Sequence, residues 1–160
     1  MKFLHIQPTS KELTKELDKC IKDGKNVYLL IYMEGCGPCN ATRPEWAKLK
    51  NVLNHNGNDN IVIADMDHTL VSEVFSLKDM NINGFPTMKR ISHKGEKIEE
   101  YETNKSKHAK DRSIDSFVDW IKTTSIMKGG RKRTIKKNKK HTIKKRKTHK
   151  SKRNYKRNKK

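Results

Sequence analysis

Three cysteines in 160 residues are too few for a disulfide scaffold. No apolar run is long either. The longest, residues 27–33, has seven side chains, and a membrane-spanning helix needs about 20. The opening residues, Met1-Lys2-Phe3-Leu4-His5-Ile6-Gln7, lack the continuous apolar core and small-residue cleavage site of a secretory signal. The expectation is therefore an intracellular protein, in cytoplasm or nucleus, without a membrane span. Acidic residues are missing altogether from residues 128–160, where 19 of 33 residues are Lys or Arg. That segment holds a single aromatic, Tyr155, and two aliphatics, Ile135 and Ile143. With so little to bury and so much self-repulsion, it is expected to be a disordered basic tail.

What remains is nearly neutral. Residues 1–127 carry 19 basic and 18 acidic side chains, so almost all of the formal charge of +20 sits in the tail. A domain of this length can bury a core without staples. Gly129-Gly130 reads as the hinge between domain 1–127 and tail 128–160.

Along the domain the hydrophobic period alternates between two and 3.6. Residues 2–7 read as a strand. Thr9 to Glu12 has the spacing of a capping box, and Leu13, Leu17, Cys20 and Ile21 follow at helical spacing up to Gly24. Residues 27–33 read as a central strand covered on both faces. A second helix begins near Gly37-Pro38 with Trp46, Leu49 and Leu53 as its stripe, kinked at Pro44. Residues 61–64 form a third strand, ending in a loop with Asp65, Asp67 and His68. Leu70, Val71, Val74, Phe75 and Leu77 predict a third helix. Residues 87–91 and 97–101 make a hairpin, and Ile114, Phe117, Val118 and Ile121 a last helix. The order β-α-β-α-β-α-β-β-α implies an α/β fold with a mixed central sheet and helices on both faces.

The chemistry lies at Cys36-Gly37-Pro38-Cys39, directly after a predicted strand and at the start of a predicted helix. Two cysteines three apart there share a face and lie within bridging reach. The free N–H groups of the helix start favour thiolate over thiol at the first. A thiolate attacks disulfides, and a second thiol resolves the mixed disulfide. Half of a zinc site is the rival reading, but a structural zinc site needs four ligands, and only Cys20 and scattered His are left. Cys20 lies on an apolar stripe, which suits a core thiol better than a regulatory third thiol.

These residues, with Pro44 and with Gly84-Phe85-Pro86-Thr87 before the fourth strand, resemble the thioredoxin superfamily over nearly all of the domain. The resemblance implies a thioredoxin fold and a protein dithiol–disulfide oxidoreductase. Cys36 would attack and Cys39, more buried, would resolve, with Gly37 and Pro38 forming the helix start between them. Phe85–Pro86 would be cis, and Phe85, Pro86 and Thr87 would shape the groove where an extended client segment pairs. No metal or organic cofactor is implied. The partners would be a disulfide-containing protein substrate and a reductase or small thiol as electron donor. The chain departs from the family at Leu30, where an acid usually stands, at Tyr32 and Gly35 in place of tryptophans, and at Asn40 in place of a lysine. An apolar Leu30 should raise the Cys39 pKa and slow resolution near neutral pH. Glu34 is a candidate substitute for the missing acid, though a solvated loop carboxylate is the plainer reading.

The tail has 14 Lys and 5 Arg. Lysine is a point charge without the fork that reads guanine edges. The expected partner is nucleic acid or another polyanion, held through its phosphates without sequence preference; a solubilising or targeting extension is the plainer reading. A Gly-Gly junction followed by a Lys/Arg tail resembles proteins of large DNA viruses, which would place the chain in host cytoplasm or virion. The second functional reading is a nucleic-acid- or virion-associated binding protein on the same scaffold, with weak or no redox activity.

Overall fold

The computed structural model describes residues 1–53, 58–103 and 110–125. The tail expected at 128–160 and its Gly129-Gly130 hinge lie outside the described residues.

Five strands form one mixed sheet in the order β1-β3-β2-β4-β5: β1 (Lys2–Ile6), β2 (Asn26–Tyr32), β3 (Ile61–Asp67), β4 (Thr87–Ser92) and β5 (Lys97–Glu100). β3 runs parallel to β1 and β2, while β4 is antiparallel to β2 and β5. β2 is central, and Val27 to Tyr32 are all buried. Alternation sends Val27, Leu29 and Ile31 into one core layer and Tyr28 and Leu30 into the other. A strand covered on both faces reads as an unbroken apolar run, as this one does.

On the first face lie α1 (Leu13–Lys22) and the turns that follow β3, packing Leu17, Cys20, Ile21, Leu70, Val71 and Leu77. Cys20 is a buried free thiol within this layer. On the second face lie α2 (Gly37–Ala47), α3 (Leu49–Leu53) and α4 (Ile114–Ser125). Both tryptophans pack here. Trp46 meets Phe117 edge-on at 5.0 Å, and Trp120 meets Tyr28 at 5.0 Å. Such pairs contribute about 0.5–1.5 kcal/mol beyond burial. The Tyr28 hydroxyl is satisfied at Thr124 Oγ1, 2.9 Å away.

Four local expectations are corrected. The helix after β3 is instead two 3-10 segments, His68–Glu73 and Phe75–Leu77. Val74 between them is extended, and the bonds Val74 N–H to Val71 and Leu77 N–H to Val74 span three residues. Valine, threonine and serine in this stretch are weak helix formers, so burial of the apolar side chains sets the path. The Thr9–Glu12 capping box is not made. Pro8–Ser10 is a 3-10 turn in which Ser10 Oγ accepts from Gln7 N–H at 3.0 Å, and α1 begins only at Leu13. The second helix, expected to run on through Leu53, is instead two, α2 and α3, divided at Lys48, with Pro44 inside α2. β3 runs on through Asp65 and Asp67, which the loop reading had outside the sheet; Asp67 still caps the next turn, accepting from Thr69 N–H at 2.9 Å.

The end of α1 follows the sequence signal. Gly24 has φ +79°, with Gly24 N–H bonded to Ile21 and Lys25 N–H to Cys20. This closes the helix by a left-handed residue. Gly24→Ala should lower stability by about 1–2 kcal/mol, and Gly24→Asn by less. Urea unfolding should show a lower midpoint with an unchanged slope; an unchanged midpoint for the alanine variant would contradict this.

Candidate active site

The central strand ends at Tyr32, and the chain turns through Met33, Glu34 and Gly35 (φ +75°) into α2. Cys36 is the cap residue of α2, with extended backbone, and its Sγ accepts from Cys39 N–H at 3.3 Å. Asn40 N–H bonds to the Cys36 carbonyl at 3.0 Å. Gly37 and Pro38 fill the first helical positions, where Pro has no hydrogen bond to lose. Cys36 and Cys39 are joined in a disulfide with Cα atoms 5.2 Å apart. Cys36 is half-buried and Cys39 is 0% exposed. The two sulfurs of the pair thus differ in exposure.

β4 brings the second part. The Phe85–Pro86 bond is cis. Pro86 is buried, and Phe85 and Thr87 are half-buried. Cys36 Sγ lies 3.7 Å from the Phe85 carbonyl oxygen. The Thr87 hydroxyl donates to the Gly84 carbonyl and ties the loop to the start of the strand. The Phe85 ring packs edge-on against His68 at 5.2 Å. Of the residues expected at the groove, Phe85 meets the cysteine pair through its carbonyl oxygen, and Pro86 and Thr87 follow it in the chain.

Glu34 does not turn inward. It is 70% exposed and pairs with Arg43 Nη1 at 3.1 Å, as a loop carboxylate does. Arg43, one turn beyond Cys39 on α2, lies 3.8 Å over the Tyr32 ring.

Leu30, where the resemblance expects an acid, is fully buried on β2. The strand beside it does supply one. Asp65 of β3 stands opposite Leu30 in the β2–β3 register and opposite His5 in the β1–β3 register. Its carboxylate pairs with His5 Nδ1. With Asn40, Arg43, Pro44, Ala47 and Leu30, the two line a cavity of about 360 Å³ behind α2. Burial pushes the Asp65 carboxyl above the usual carboxylate range, against the opposing pull of His5 and Arg43. The sequence pattern alone puts Asp65 in a loop after the strand. The alternation Ile61, Ile63, Asp65 was the available signal, since it continues the strand and points the carboxyl to the α2 face.

The model of the family described as Thioredoxin matches residues 7–119. Among curated proteins, the chain is 37% identical over 84 residues to a protein disulfide-isomerase of Gallus gallus, a match covering 52% of this chain and 15% of that one. It is 30% identical over 105 residues to a protein disulfide-isomerase of Zea mays, covering 66% and 18%. The chain thus spans less than a fifth of the length of either relative. Among solved structures, the first thioredoxin domain of mouse protein disulfide-isomerase A4 superposes with a TM-score of 0.53 at 21% identity, over 86% of each chain.

The raised Asp65 pKa sets a pH dependence. A carboxyl whose folded pKa exceeds its unfolded value of about 3.9 contributes fully below that value, and the contribution is lost as pH rises through the folded pKa. Asp65→Asn, which cannot ionise, should therefore gain stability relative to wild type between pH 3 and pH 7. Urea midpoints across that range test this, and parallel pH profiles would contradict it.

Proposed function

From the premise that the chain belongs to the thioredoxin family, we propose that it is a protein dithiol–disulfide oxidoreductase whose redox centre is Cys36 with Cys39. The observation that carries this reading is the cysteine pair at the start of α2, one sulfur half-buried and one enclosed, with Cys36 Sγ 3.7 Å from the carbonyl beside cis-Pro86.

In the reducing direction the Cys36 thiolate attacks one sulfur of a client disulfide. The bond between the client sulfurs breaks, a Cys36–client disulfide forms, and the departing client thiolate takes up a proton. Cys39 then gives up its proton and attacks Cys36 Sγ. The second client sulfur leaves as a thiolate and takes up a proton, and the Cys36–Cys39 disulfide forms. Two electrons and two protons have passed to the client, and a separate dithiol reductase or small thiol restores the pair. The same steps reversed oxidise a client dithiol.

The helix start serves the first step. The Cys39 N–H already points at Cys36 Sγ, and that donor with the helix dipole stabilises a thiolate there. The second step needs a proton acceptor for an enclosed thiol. Leu30 cannot serve. Asp65, opposite Leu30 in the register and on the cavity behind α2, is the acceptor in this reading. The client segment would lie along Phe85, Pro86 and Thr87 as a short added strand.

Roles can be read by trapping. With Cys39→Ser, a mixed disulfide between Cys36 and a client peptide should accumulate, since nothing resolves it. With Cys36→Ser, none should form. Mass mapping of an adduct on Cys39 in the wild-type chain would overturn the assignment.

Residues 128–160, with 19 positive side chains and no acid, support a second element of the reading: attachment to nucleic acid or another polyanion. Binding should come from counterion release. If about eight phosphates are neutralised on duplex DNA, log K should fall with log salt at a slope near −7. Two unrelated duplexes should bind alike, and ending the chain at Met127 should abolish binding. Salt-insensitive binding, or undiminished binding by the shortened chain, would count against it.

A further inference from the structure

Phe75 is the most exposed of the large apolar side chains among the described residues, at 66%. Its position is fixed. Val74 and Leu77 on either side are fully buried, and Ser76 is tied to α1, its N–H and hydroxyl donating to Asp18 Oδ1 at 2.9 and 2.6 Å. The turn therefore holds the ring outward while its neighbours anchor in the core. Two ammonium groups attend the ring, Lys22 Nζ from α1 and Lys78 Nζ from the next residues of the chain, each 5.1 Å from its centre. Lys15 and Lys19 continue the exposed side of α1 at helical spacing from Lys22.

An aromatic face presented on a rigid turn and flanked by flexible cations suits one ligand chemistry well. A nucleobase can stack on the ring while the lysines swing to the phosphates on either side. Lys78 in its present place covers part of an exposed ring, a weak contact of about 0.5–1 kcal/mol at such sites, while Lys22 also pairs with Asp18 Oδ2 at 2.5 Å and leaves that ion pair when it turns to a phosphate. In a duplex the base faces are already stacked on one another and the ring has nothing to take. We propose that Phe75, with Lys22 and Lys78, is a stacking site for single-stranded nucleic acid. It is independent of the disulfide chemistry. It is also distinct in kind from the basic tail, whose chemistry is contact with phosphates.

The test uses the full-length chain, with a 15-residue oligothymidylate and a duplex of mixed sequence as probes at one salt concentration. Binding is read by fluorescence anisotropy. Phe75→Ala should weaken binding of the single strand about 5- to 150-fold, the range for loss of one base–aromatic stack. Duplex binding should stay within about twofold of wild type, since the phosphate-binding lysines remain. Phe75→Trp should retain single-strand binding. The ring is mostly solvent-exposed, so neither substitution empties the core. Wild-type affinity of Phe75→Ala for the single strand would overturn the proposal. So would an equal loss on both probes, or a Trp variant as weak as the Ala variant. A third probe, polyglutamate, decides the partner class: if Phe75→Ala loses polyglutamate as strongly as oligothymidylate, the patch reads acidic protein and the proposal fails.

Discussion

One register holds the site together. β2 and β4 pair antiparallel with Ile31 opposite Thr87. The C-terminal end of β2, which leads into Cys36, is thereby set beside the N-terminal end of β4, which follows Pro86. A slip of one residue would turn every side chain of either strand to the other face. Both faces are buried here, with Val27, Leu29 and Ile31 in one layer and Tyr28 and Leu30 in the other. Core packing therefore fixes the register, and the register fixes the approach of the Phe85 carbonyl to Cys36 Sγ. The cysteine pair and the cis-proline loop are thus placed by a strand buried on both faces.

The same strand explains the asymmetry of the pair. Cys36 stands at the exposed end of α2, where free N–H groups meet it. Cys39 lies one turn in and is fully buried. An enclosed thiol resists ionisation in apolar surroundings. The carboxylate absent from β2 is present one strand over, since Asp65 faces Leu30 in register and is anchored by His5 from β1. The polar groups around Asp65 come from several elements: His5 on β1, Arg43 on α2, Lys50 on α3, and Tyr32 at the end of β2. The site is thus built across strands and cannot be located from any one of them.

That distribution decides what was legible in the sequence. Element order was legible because each strand and helix keeps its own period. The apolar run of β2, the stripe of α1 and the Gly24 stop are local signals. Cys36, Cys39 and Pro86 were legible because motif and setting agree. The helix expected after β3 was not, because Leu70, Val71, Val74 and Leu77 have helical spacing but bury from 3-10 turns separated by an extended Val74. Asp65 was misplaced because polar residues at 65 and 67 look like a strand end, whereas pairing with His5 and Leu30 keeps them in the sheet. The single-residue environment that counts, a half-buried carboxyl across from a leucine, exists only after three strands have paired.

The most direct test of this account is the reaction of the reduced full-length chain with a neutral peptide disulfide at pH 7, followed by release of the peptide thiol. The account predicts second-order reduction faster than with an equal concentration of glutathione. It also predicts that each thiol pair released is matched by one Cys36–Cys39 disulfide, and that all of the rate is lost in Cys36→Ser. A rate no greater than that of glutathione, or one that survives in Cys36→Ser, would contradict it.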